Sequence, residues 1–178
     1  MIKKTISIKY YTPSHWVPLW QLRFAHLAEH GIILDPADIP LRPAASDSDA
    51  PEWDFDQIDQ VYLSGGGGFW LAWHDDEAVG SVGAQGLGGV VELRRMYVRA
   101  THRRVGIGRL LVQALIDHCR TTGIEAVELW TAEDGPGRRL YERLGFQVVS
   151  KPGSGYEKLE QATRRSPNVD EIRMRLEL

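Results

Sequence analysis

Residues 92–109 read ELRRMYVRATHRRVGIGR. Val90 to Val98 alternates as a strand, and from Ile107 onward apolar residues recur at helical spacing. Strand, short turn and helix therefore follow one another. Six arginines lie between Arg94 and Arg109 with no acid among them, although the net charge of the chain is −3. Where a strand turns through Gly-x-Gly into a helix, free backbone N–H groups converge at the positive end of the helix dipole. Glycine lets an anion reach backbone that a Cβ would shield, and arginine adds forked donors that match phosphate oxygens. Residues 103–109 thus have the chemistry of a phosphate or pyrophosphate cradle. Their spacing is neither that of a Walker loop nor Gly-x-Gly-x-x-Gly.

Outward from this stretch, residues 2–11 alternate as a strand, and Thr12-Pro13-Ser14 starts a helix carrying Trp16, Leu19, Trp20, Phe24, Leu27 and Ala28, stopped by Gly31. Four prolines between Asp35 and Pro51 keep that segment a long loop. Phe55, Ile58, Val61 and Tyr62 suggest a short helix ending at Ser64. Gly65 to Gly68 reads as a turn, because a strand follows it where an anion site would need a helix. Phe69–His74 and Ala78–Gln85 form a hairpin. Ile107, Leu110, Leu111, Ala114, Leu115, His118 and Cys119 mark one face of a helix ended by Gly123, so His118 and Cys119 read as packing residues. Strand Ala126–Thr131, helix Pro136–Leu144 and strand Phe146–Val149 come next. After a polar loop, Lys151–Asp170, Ile172 to Leu178 alternates as a last strand. The order β-α-α-β-β-β-α-β-α-β-β predicts an α/β (α+β) single domain over 1–178, with a mixed six- to seven-stranded sheet flanked by helices.

One cysteine rules out an internal disulfide, and no apolar run of signal-peptide or membrane-spanning length occurs. A soluble, cytoplasmic protein with no membrane partner is expected. The histidines are dispersed and no Cys/His ligand spacing occurs, so no metal is expected. Because the basic run is local and not interleaved with aromatics, nucleic acid is not an expected partner. From Pro43 to Leu93 there are ten acids and no Lys or Arg. Such segregation favours an anion at the basic stretch and a cation near the acidic one, unless the acids only decorate solvated loops.

The ordered set ELRRMYV, THRRVGIG and LYERLGF (Leu140–Phe146) resembles the successive motifs of the GNAT superfamily of acyl-CoA-dependent N-acetyltransferases. Arg103-Arg104-Val105-Gly106-Ile107-Gly108 meets its Arg/Gln-x-x-Gly-x-Gly/Ala element. GGGGFWLAWHDDEAVGSVGA (65–84) is similar to the hairpin that precedes the motif strand. The resemblance covers roughly Asp54 to Val149.

It implies a GNAT-type fold in which the motif strand splays from Ala126–Thr131 to admit pantetheine, with acetyl-CoA as co-substrate. It sets the coenzyme pyrophosphate on Arg103, Arg104, Val105, Gly106, Ile107, Gly108 and Arg109, and the pantetheine arm along the backbone of Met96, Tyr97 and Val98. Tyr141 takes the place of the acid that protonates the departing thiolate; otherwise it packs its ring. Glu92 stands where some members carry a base acting through water; the alternative is a pair with Arg94 or Arg95. By strict alternation Glu92, Arg94, Met96 and Val98 share a face. Asp134 departs from the family's frequent asparagine, and an ionised aspartate can only accept. The implied activity is direct acetyl transfer to a primary amine, of a small molecule or a peptide, in a ternary complex. The acidic stretch would favour a cationic acceptor. A homodimer is left open, and so is the alternative of a non-catalytic acyl-CoA-binding sensor or interaction module.

Overall fold

The computed structural model describes residues 5–40, 53–150 and 171–178. Strand β1 (Ile6–Tyr10) passes through a 3-10 turn at Pro13–His15 into α1 (Trp16–Glu29), where Pro18 sits in the first turn and costs no intrahelical bond. The helix expected before Ser64 is two short pieces, α2 (Trp53–Asp56) and α3 (Ile58–Val61), broken where Gln57 leaves helical dihedrals (φ −119°, ψ 37°). The hairpin is β2 (Gly68–His74) and β3 (Glu77–Gly86), joined at Asp75-Asp76, with Asp75 at φ 53°. Then come β4 (Val90–Val98), a 3-10 turn at Ala100–His102, α4 (Ile107–Thr122) and β5 (Ala126–Ala132). Helix α5 (Pro136–Arg143), β6 (Gln147–Ser150) and β7 (Glu171–Glu177) complete the order. The proline-rich segment contains a 3-10 turn at Pro36–Asp38; its residues 41–52, and the 151–170 loop, lie outside the described residues.

The strands form one seven-stranded sheet in the order β1-β2-β3-β4-β5-β7-β6, and only β4–β5 is parallel. Each face buries its own apolar cluster. Helix α4 covers one with Leu111, Leu115 and Cys119 against Val91, Leu93, Val127 and Leu129. The α1–α3 segment covers the other with Trp20, Leu22, Phe55 and Tyr62 against Phe69, Leu71 and Tyr97. The buried face of α4 is turned from the expected one. Leu110 is 46% exposed, and Val112 and Ile116 are buried instead. His118 does pack, donating from Nε2 to the Gly67 carbonyl at 2.9 Å.

Strict alternation fails in β4. Ser81 pairs with Tyr97 but Gly83 pairs with Arg94, so Val82 alone faces both Arg95 and Met96. This is a β-bulge with Arg95 at φ 50°, and the Arg95 carbonyl accepts a 2.9 Å bond from Ser81 Oγ. The extra residue reverses the faces. Val91, Leu93, Met96 and Val98 point toward α4, while Glu92, Arg94, Arg95 and Tyr97 point toward α1. Glu92 and Arg94 therefore do not share a face with Met96 and Val98. Pairing with β5 covers only Val90–Glu92 against Ala126–Glu128, before the bulge. Beyond it the two parallel strands part.

Candidate active site

Two elements meet at the open end of that gap. The turn after β4 carries Arg104 at φ 65° and Gly106 at φ 91°, and Gly106 caps α4 with no side chain over the first N–H groups. A Cβ at Gly106 would meet nothing within 4 Å, so open space lies before the helix end. Arg104, Val105 and Arg109 are exposed around it. A Cβ on Gly108 would press to 3.0 Å on Met96 Cε and 3.3 Å on Leu140, so this glycine seats the helix against β4. An uncapped N-terminus of a four-turn helix, with exposed guanidinium groups, fits a pyrophosphate.

Arg103 is employed differently. Its Nε donates to the Val98 carbonyl at 2.8 Å and its Nη2 bonds Glu29 at the end of α1. Glu29 also accepts from the Tyr97 hydroxyl at 2.7 Å and the Ala100 amide at 3.3 Å. Burial works against the Glu29 charge, but the bonds from Tyr97 and Arg103 outweigh it and its pKa falls. Burial, helped by Glu29, pushes the Tyr97 hydroxyl up. One carboxylate thus ties α1 to the anion turn. The sequence offers no sign of this link across 74 residues.

Tyr141 is 5% exposed, on the inner side of α5, its ring edge-on to Phe146 at 5.6 Å. Gly137 lets it in: a Cβ there would lie 3.3 Å from the ring. Asp134 is exposed in the turn before α5. Glu92 is fully buried in β4, in register with Gln85 on one side and Glu128 on the other. Glu128 is bound by Arg173 and by Arg175, the latter at 2.6 Å. Arg95 gives its fork to Asp54, with Nε to Oδ2 at 2.8 Å, and Arg94 Nη1 donates to Gln85 at 2.9 Å. Cys119 is wholly buried, which lifts its thiol to a pKa of about 11.

On the α1 side of the bulge lies a cavity of about 40 Å³. Arg95, Met96 and Tyr97 form its β4 wall, and Leu19, Leu22, Arg23 and His26 of α1 with Phe55 of α2 close it. His26 stacks on Tyr97 with ring centroids 4.4 Å apart. Burial, then the neighbouring charges of Arg23 and His30, lowers its pKa to about 4. Behind the wall Asp54 is fully buried and also accepts from Tyr62 at 2.5 Å. Burial raises its pKa, but the bonds from Arg95 and Tyr62 prevail and the net shift is downward.

Among the described residues of the acidic stretch, Asp54 and Glu77 have local basic partners. Asp54 is spent on Arg95. Asp75, Asp76 and Glu77 sit at the hairpin end beside the anion turn, where Glu77 lies 3.4 Å from Arg99 and His74 Nδ1 lies 2.8 Å from His102 Nε2. Asp47, Asp49 and Glu52 lie outside the described residues. The described residues contain no cluster of metal-ligating side chains and no helix long and apolar enough to cross a membrane.

Residues 20–146 match the family described as Acetyltransferase (GNAT) family. Among curated proteins, the chain is 35% identical over 83 residues to the uncharacterized N-acetyltransferase YsnE of Bacillus subtilis, a match spanning 44% of this chain and 55% of that protein. Its fold is similar to that of a GNAT-family acetyltransferase from Staphylococcus aureus Mu50, with TM-score 0.72 and 23% identity over 98% of this chain and 99% of that one. It is also similar to the PaiA N-acetyltransferase of Thermoplasma acidophilum in complex with coenzyme A, with TM-score 0.66 and 16% identity over 98% and 99%.

Proposed function

The chain belongs to the acetyltransferase (GNAT) family, and from that premise we propose that it transfers the acetyl group of acetyl-CoA to a primary amine in a ternary complex. The observation that carries this reading is the parting of β4 from β5 directly before an uncapped helix N-terminus. The free edge of β4 can pair through its backbone with an amide-bearing arm, and the first N–H groups of α4, with Arg104 and Arg109, can hold a pyrophosphate.

In the transfer, the amine nitrogen forms a bond to the thioester carbonyl carbon, the C–S bond breaks, and sulfur leaves with the electron pair. A backbone N–H of the bulged segment, at Met96 or Tyr97, is placed to meet the carbonyl oxygen as it gains charge. Tyr141 supplies the proton that sulfur takes up, a feasible donation because thiolate is a modest base. Glu92, on the α1 face of β4, receives the amine proton through water. The buried thiol of Cys119 is unsuited to carry an acyl group, so the amine attacks directly. Calorimetric titration with acetyl-CoA, followed by thiol release with a panel of amines, tests the reading. Tight binding with release for at least one amine supports transfer. Binding with no release for any amine would replace it with an acyl-CoA-binding module.

A further inference from the structure

Glu29 stands where its own helix does not favour it. It is the last residue of α1, and a carboxylate there faces the negative end of the helix dipole. Three donors hold it: the Tyr97 hydroxyl at 2.7 Å and the Ala100 amide at 3.3 Å on Oε1, and Arg103 Nη2 on Oε2. The side chains of the ion pair are 46% exposed for Arg103 and 29% for Glu29, so the pair adds little to stability by itself. A charge set against its local preference, and contributing little stability, points to a role in geometry.

The three donors bracket one turn. Tyr97 lies in β4, Ala100 opens the 3-10 turn that follows, and Arg103 comes directly after it, its amide bonded to the Ala100 carbonyl at 3.3 Å. The Arg103 side chain is fixed at two points, Nη2 by Glu29 and Nε by the Val98 carbonyl at 2.8 Å. The next residue, Arg104, has φ 65°, a left-handed backbone that a residue with a Cβ keeps only where its surroundings hold it. Arg104 and Gly106 then lead into the first N–H groups of α4. Helix α4 secures this turn on one side, and Glu29 with Arg103 secures it on the other.

We infer that Glu29 is a positioning residue of the coenzyme site, acting through Arg103 to preset the left-handed turn that leads to the pyrophosphate cradle. This role rests on the coenzyme reading above and deepens it. Glu29 needs no contact with the coenzyme. Charge alone gives the opposite effect: a carboxylate beside an anion site repels the anion, so neutralising it would tighten binding. Neutralising a positioning carboxylate weakens binding.

The experiment is a double-substitution cycle. Acetyl-CoA is titrated calorimetrically into the native protein, Glu29→Gln, Arg103→Met and the doubly substituted protein, each shown to be folded by urea unfolding. Glutamine keeps an acceptor oxygen for Tyr97 and Ala100 and removes only the charge that binds Arg103. The expected result is a dissociation constant raised about tenfold in Glu29→Gln, one charge-assisted bond's share. With methionine already at 103 the same substitution should add less than about twofold, since the two residues act as a unit. Glu29→Asp, which keeps the charge, should recover part of the loss. With an amine that supports turnover, KM for acetyl-CoA should rise by the same factor while kcat at saturating coenzyme stays within about twofold. Unchanged or tighter binding in Glu29→Gln would overturn the role of Glu29. So would a loss of the same size in the Arg103→Met background, which a general loosening of α1 would give. Amide exchange without coenzyme is a second reading: Ala100 to Arg104 should exchange faster in Glu29→Gln with β1 unchanged, and equal rates would also overturn it. Failure of acetyl-CoA to bind the native protein is a separate result that removes the coenzyme reading and this role with it.

Discussion

Single residues divide cleanly into those whose type the site needs and those whose backbone the fold needs. Tyr141 is proposed to be of the first kind. Its ring is packed by Phe146 and Gly137, so Tyr141→Phe keeps the packing and removes only the hydroxyl. We predict that kcat falls by about 10²-fold, a general acid's usual share, while the dissociation constant for acetyl-CoA stays within twofold, read by steady-state kinetics and calorimetry. Undiminished turnover would make Tyr141 a packing residue. Gly106 is of both kinds, since φ 91° strains any other residue whatever the space. Gly123, at the opposite end of α4 with φ 73° and equally open surroundings, separates the two effects. Gly106→Glu and Gly123→Glu should each lose about 1–2 kcal/mol of stability, measured by urea unfolding. Only Gly106→Glu should abolish coenzyme binding. Equal coenzyme affinity in the two variants would move the anion site elsewhere.

Most elements were legible in the sequence, because alternation and helical spacing directly reflect which face is buried. The exceptions have particular causes. The bulge in β4 was invisible, since an inserted residue leaves a string that still alternates on paper. It moved Met96 and Val98 to the α4 face. The buried side of α4 is turned by a fraction of a turn from the face its spacing marks, because the helix spans several strands and buries Val112 and Ile116 as well. The sequence allows Arg95 to pair with Glu92, but its fork is bound by Asp54 of α2, 41 residues away. That pair joins α2 to the bulge, and Asp54→Asn removes the buried carboxylate that holds the Arg95 fork. We predict a loss of about 3–5 kcal/mol, against less than about 0.5 kcal/mol for Asp76→Asn at the exposed hairpin turn, both by urea unfolding. Equal losses would show that the pair does not anchor the bulge.

At the scale of the molecule, the proposed transfer divides its parts between the two faces of the sheet. The α4 side carries the anion turn and Tyr141, the α1 side carries Glu92 and the cavity, and the gap between β4 and β5 joins them. Of this arrangement the motif residues were legible, through the resemblance, while the cavity was not, because its walls come from four segments distant in sequence. The chain spans about half the length of the curated relatives it matches.

The same division predicts how the protein answers to acid. The pKa of His26 is lowered from 6.5 to about 4, so between those values the unfolded chain binds a proton that the fold refuses. Stability is complete above pH 6.5 and falls as pH drops from 6.5 to 4. Asp54, lowered from 3.8, adds a second loss only below that value. The melting temperature of the native protein should therefore fall between pH 6.5 and 4, where burial also lowers His15, and fall further below 4.5, where the lowered carboxyls of Glu29 and Asp54 take up protons; His26→Gln should make the first fall shallower. A variant that keeps the slope between pH 6.5 and 4 would remove His26 as its source.

In the proposed reading the parted strands and the helix end behind them receive the coenzyme. Amide hydrogen exchange with and without acetyl-CoA tests it most directly. Coenzyme bound there should slow exchange at Met96 to Val98 on the free edge of β4 and from Arg104 to Arg109, with β1 and the Asp75-Asp76 turn unchanged. Saturation with acetyl-CoA that leaves the β4 and α4 amides exchanging as before would contradict it.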